Sequence, residues 1–127
     1  MRKFVFKVPR DDPEDQLQRK IVALLDAAGV LYCHVPNGGR TSKREGGKRK
    51  RRGVKAGVPD LLIFDTPRIC PGKFGAALEL KAEDESPSAW KPHQRQWARD
   101  LAARGWVTAC AFGYAQAVAQ LQAWGYL

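Results

Sequence analysis

Cysteine is rare in this chain: Cys33, Cys70 and Cys110 are odd in number, widely spaced and form no Cys-x-x-Cys. That pattern excludes a disulfide framework or a zinc knuckle and predicts reduced thiols in a cytoplasmic protein. Long apolar runs are missing too. Nothing approaches the roughly 18 residues of a membrane span, and the Met1-Arg2-Lys3 start leads into no signal-like hydrophobic region. Acids are few, 13 against 22 Lys and Arg, so the net charge is +9. What is present suits one domain: 127 residues, 44% of them apolar, can bury a core without covalent staples.

The positive charge is concentrated. Arg40, Lys43, Arg44, Lys48, Arg49, Lys50, Arg51, Arg52 and Lys55 face a single acid, Glu45, so the stretch carries +8 of the +9. Gly46, Gly47 and Gly53, with no apolar periodicity, predict a flexible basic loop at about 38–56. A polyanion is its natural partner, because Lys and Arg contacts to phosphate release condensed counterions. A solvated charge run, or an import signal in Lys48-Arg49-Lys50-Arg51-Arg52, has the same composition. Mutual repulsion among charges this dense favours the nucleic-acid reading.

Apolar periodicity predicts a helix over 12–28, with Asp12 as N-cap, Pro13 in the first turn, Gly29 as stop, and a stripe of Leu17, Ile21, Leu24, Leu25 and Ala28. Strands follow at 30–35, 58–64 and 76–82, then a helix over 92–104 ended by Gly105, a strand at 106–112 and a helix over 114–124. The order is αβββαβα.

Within this framework three acids are out of place. Glu14 precedes Leu17 by three and falls on the inner side of the first turn, where Asp15 and Gln18 would not. Asp60 interrupts the nearly continuous apolar run of 58–64. Glu79 shares one face of the third strand with Lys81, since side chains alternate. Asp60 and Glu79 are hard oxygen ligands of the type and number Mg²⁺ takes from a protein, the remainder being water and phosphate oxygens. Two carboxylates about 4 Å from a phosphate oppose it by about 1 kcal/mol per pair in water and about 4 at an effective dielectric of 20. A divalent cation removes that repulsion, so the pattern points to phosphodiester hydrolysis with Mg²⁺, or Mn²⁺ as substitute. Lys81 could hold the attacking water and screen the phosphate. Glu14 could orient that water, complete a second metal site, pair with Lys81, or simply complement the helix dipole.

Glu14, then Gly57-Val58-Pro59-Asp60, then Glu79-Leu80-Lys81, then Gln94 resembles the VRR-NUC branch of the PD-(D/E)XK nucleases, in the standalone single-domain form. The resemblance implies a three-layer α/β restriction-endonuclease-like core with a central mixed sheet. It implies Asp60, Glu79 and the Leu80 carbonyl as metal ligands, Lys81 as catalytic lysine, Glu14 as helix-borne acid and Gln94 as a supporting glutamine. It further implies a homodimer acting on branched DNA, including Holliday junctions, in a bacterial or phage-infected cytoplasm, with no small-molecule cofactor. A flap or nicking nuclease of the same family is the alternative. A non-catalytic basic nucleic-acid-binding protein is the rival of another class.

Cys33-His34 and His93 lack a second ligand at usable spacing and read as strand and surface residues. Of the tryptophans, Trp90 falls in a loop, where it could stack on an exposed base. Trp97, Trp106 and Trp124 read as core or interface.

Overall fold

The structure is a computed structural model, and it describes residues 12–36 and 43–127. Helix α1 (Pro13–Ala27) begins as expected: the Asp12 side chain accepts the Glu14 N–H at 2.8 Å, and Pro13 fills the first turn. Its end is locked at Gly29, φ +67°, where the N–H groups of Gly29 and Val30 return to the carbonyls of Asp26 and Leu25. That lock consumes Val30, so strand β1 (Tyr32–His34) is shorter than the 30–35 expected.

The basic segment departs from expectation. Where irregular chain was predicted, helix α2 spans Lys43–Arg51. Lys and Arg are good helix formers, which counters the cost of about 1 kcal/mol each for Gly46 and Gly47. Lys48, Arg49, Lys50 and Arg51 also sit in the last turn, where cations oppose the negative end of the helix dipole. Gly53, φ +89°, closes α2 as Gly29 closes α1, its N–H meeting the Lys50 carbonyl at 3.1 Å while Val54 N–H meets Arg49 at 2.9 Å. Arg40 lies outside the described residues.

Strand β2 (Leu61–Ile63) starts after Asp60, not at 58. Pro59 has no N–H for a ladder, and Gly57 at φ +88° breaks the extended path. Strand β3 (Ala76–Lys81) is buried along its whole length. A 3₁₀ turn (Pro87–Ala89) leads to α3 (Pro92–Ala103), strand β4 (Val107–Phe112) and α4 (Tyr114–Trp124). Trp106 donates its N–H to Leu101 at the end of α3, which is why β4 begins one residue later than predicted.

The four strands lie in the order β1-β2-β3-β4, antiparallel except for the parallel β3/β4 pair, and form the mixed sheet expected. Leu61 opposite Leu78 and Ile63 opposite Ala76 share one face with Leu80. That face packs against Leu17, Ile21 and Leu25 of α1 and Ala117, Leu121 and Trp124 of α4. Burying each large aliphatic side chain contributes about 1.5–3 kcal/mol. Helix α3 makes the crossover from β3 to β4 and packs along β4 outside that core, giving the three-layer α/β arrangement. No helix among the described residues is long and apolar enough to cross a membrane.

Candidate active site

Strand pairing brings the acids together. Extending the Leu61 to Leu78 register by one residue sets Asp60 opposite Glu79, on the same face. The β3 residues whose backbone bonds run to β4 are the odd ones: Gly75 C=O accepts from Val107 at 3.0 Å and Lys81 C=O from Gly113 at 2.8 Å. The polar groups of Leu80 therefore turn toward β2. Its N–H donates to Asp60 Oδ2 at 2.8 Å. Its carbonyl is left on the side where the carboxylates stand.

Glu79 and Lys81 are 5% and 8% exposed, and Lys81 Nζ lies 3.5 Å from Glu79 Oε1. Glu79 Oε2 is buried with no hydrogen-bond partner among the described residues. Burial first, and then the neighbouring Asp60 carboxylate, push the Glu79 carboxyl up to about 8, against the opposing pull of Lys81. An orphaned buried oxygen beside a second carboxylate and a main-chain carbonyl fits a hard divalent cation. Among the described residues no three His, Cys, Asp or Glu side chains gather around one point, so the candidate donors here are two carboxylates and the main chain.

Glu14, in the first turn of α1, is half-buried and pushed up to about 7, by burial first and then by the carboxyl of Glu85; Lys81 pulls the other way. Glu85 comes from the acidic turn after β3, where one of three neighbouring acids could not be singled out from sequence. A cleft of about 290 Å³ opens here, lined by Asp12, Glu14, Gln18, His34, Asp60 and Leu80 among others. Asp15 and Gln18 both line it with Glu14, contrary to expectation: Gln18 lies one turn above Glu14, and the cleft is wide enough at the first turn to take in Asp15 beside it.

His34 is also more than a surface residue. Its Nδ1 lies 3.0 Å from the Asp60 carbonyl and touches the Gln18 side-chain amide. The carbonyl only accepts and the Gln18 amide nitrogen only donates, so the two contacts call on Nδ1 in opposite roles. The clue was its place at the end of a strand facing Asp60, which no spacing rule expresses.

Gln94 is occupied locally: its Oε1 accepts the Lys91 N–H at 2.8 Å and caps α3. Lys48, Arg49, Lys50, Arg51, Arg52 and Lys55 are solvent-exposed, while Lys43 and Arg44 are placed only through the α2 backbone. Trp90 carries the Arg95 guanidinium over its ring at 5.8 Å, and Arg95 Nε donates to the Trp90 carbonyl. All three cysteines are free thiols.

Two solved structures share this architecture. One, named a VRR_NUC domain protein, superposes with a TM-score of 0.68 at 24% identity, covering 93% of this chain and 92% of its own. A second, named a VRR_NUC domain, gives 0.57 at 21% identity, covering 88% of this chain and 97% of its own. No family model and no curated protein matches the chain. At these identities the likeness establishes the fold: the chain has the α/β fold of VRR_NUC domain proteins, as its motifs led one to expect.

Proposed function

We propose that the chain is a VRR-NUC nuclease, a metal-dependent DNA endonuclease that hydrolyses phosphodiesters in branched DNA and resolves Holliday junctions as a homodimer. The observation that carries the hydrolytic reading is Glu79, whose buried, unpartnered oxygen stands beside Asp60 and Lys81. The two fold neighbours, both named for a VRR_NUC domain, support the nuclease class. The motif order supports branched substrates and the dimer, in which two-fold symmetry places equivalent sites near symmetric strands.

In this reading Asp60, Glu79 and the Leu80 carbonyl hold Mg²⁺ or Mn²⁺. The bound ion supplies Lewis acidity at the scissile phosphate and neutralises charge on the leaving oxygen. Lys81, paired with Glu79, presents its ammonium to the attacking water and to the phosphate. Glu14, raised toward neutrality, is the group able to accept or return that water's proton. Gln94 acts at one remove, by capping the helix behind the site. Exposed cations from Lys48 to Lys55, with Arg40, Lys43 and Arg44, hold the DNA backbone without reading sequence.

The test is cleavage of a four-way junction, a flap, a single strand and a plain duplex with Mg²⁺. Selective cutting of the junction by wild type, lost in Asp60→Ala while binding persists, is expected. Equal cutting by Asp60→Ala rejects the metal assignment, and equal cutting of all four substrates rejects branch selectivity.

A further inference from the structure

Asp60 stands one residue before β2, where the ladder has run down to a single main-chain bond, so restraints beyond the sheet also bear on its aim. Two of its restraints follow it or lie beside it: its main-chain carbonyl accepts the Val35 N–H at 2.8 Å, and its Oδ2 accepts the Leu80 N–H. The restraint that precedes it comes from α3. Trp97 Nε1 donates to the Ala56 carbonyl at 3.0 Å. The next residue, Gly57, is buried at φ +88° and packs so closely on α3 that an added Cβ would stand 2.5 Å from His93 Cδ2 and 3.2 Å from the His93 main-chain carbon and oxygen. Three residues later, past the buried, φ-locked Pro59, comes Asp60.

This junction sits between two parts with different demands. Upstream, nine residues before Asp60, α2 ends at Arg51 in an exposed cationic segment. Downstream, a carboxylate must stay registered against Glu79. A segment bound to α3 at consecutive residues separates the two. Glycine at position 57 is required twice over, by its φ and by the backbone of His93.

We propose that Trp97 and His93 of α3 are positioning residues for Asp60, clamping Ala56-Gly57 so that the carboxylate stays aimed at the cation site. The proposal rests on the metal-dependent reading above.

The experiment measures Mn²⁺ affinity of the DNA-free protein by electron paramagnetic resonance. It compares wild type, Trp97→Phe, Gly57→Ala and, as a control of general destabilisation, Leu121→Ala in the core of α4. Trp97→Phe keeps an aromatic ring while losing the donor and part of the indole's volume, and it avoids the backbone strain that Gly57→Ala introduces, so it is the variant that folds more readily of the two. Removing a support behind a metal ligand lowers metal affinity roughly 10- to 100-fold. A loss in that range is expected for Trp97→Phe and Gly57→Ala, with junction affinity in metal-free buffer unchanged and cleavage by Trp97→Phe restored by excess Mn²⁺. Leu121→Ala should lower the melting temperature without weakening Mn²⁺ binding. Wild-type affinity in Trp97→Phe, or a loss matched by Leu121→Ala, overturns the clamp while leaving the nuclease reading intact. A wild-type protein that binds no Mn²⁺ overturns both.

Discussion

Asp60 Oδ2 accepts the main-chain N–H of Leu80 at 2.8 Å, tying a residue outside the strands to the C-terminal end of the strand that carries Glu79 and Lys81. The carboxylate thus has a structural role alongside its proposed chemical one. The two roles separate on substitution, because an amide oxygen can still accept that hydrogen bond while losing the charge.

Asp60→Asn is therefore expected to melt close to wild type while junction cleavage falls about 10²- to 10³-fold, the scale of losing one electrostatic element of an active site. Asp60→Ala should lose the same activity and also stability, by about 1–3 kcal/mol, since it leaves a partly buried N–H without an acceptor. Melting curves and cleavage rates for the pair check this, and equal stability of the two variants would count against the structural role.

Glu79 and Glu14 both have carboxyls raised above their ordinary value of 4.5, to about 8 and about 7. The folded state then holds protons that the unfolded chain has released, so stability is greatest below about pH 4.5 for these groups and falls as pH rises through the window toward 7 and 8. The slope is at most about 1.4 kcal/mol per pH unit for each group, and less for half-exposed Glu14. Chelator-treated protein should accordingly melt at lower temperature at pH 8 than at pH 5.5. Glu79→Gln should flatten the trend, and Mg²⁺ should raise the melting temperature most at the alkaline end. A pH-independent melting temperature in the chelated wild type would remove the charge conflict.

The exposed cations from Lys48 to Arg52 predict a salt-dependent, sequence-independent affinity. Neutralising all five to Gln should lower the slope of log K against log salt by about 0.9 for each duplex phosphate that these cations neutralise in the wild type. Cleavage at saturating DNA should be spared. Fluorescence anisotropy between low and moderate salt measures the slope, and an unaltered one would take α2 out of the DNA interface.

Leu78 is fully buried in the centre of β3 between Leu61 and Ala109 in the sheet register. Leu78→Ala is expected to cost about 2–5 kcal/mol through lost transfer energy and a cavity. Chemical denaturation gives the value directly, and a loss under about 1 kcal/mol would show that the core can collapse around the gap.

Periodicity and punctuation alone determined most of the frame: the Asp12 cap with Pro13, the glycine stops after α1 and α3, the apolar faces of β3 and α1, and the pairing of Glu79 with Lys81 on one side of a strand. These are local consequences of φ preference and side-chain alternation, written in adjacent residues. The Asp60, Glu79, Lys81 constellation was legible for the same reason, each acid standing where an apolar run should not tolerate it.

Tertiary structure decided the rest. The basic run is the exception, folding as a helix for local reasons that its composition masks: the end-lock at Gly53 and the helix preference of Lys and Arg. Val30, Trp106 and Pro59 are withheld from the strands by backbone commitments a period-two pattern cannot register. His34, Gln18 and Glu85 join the site, and Trp97 reaches Ala56, only because elements far apart in sequence pack side by side. Alternation and capping act between neighbours in the chain, whereas the aim of Asp60 depends on contacts across as many as 41 residues, and no local rule carries information over that separation.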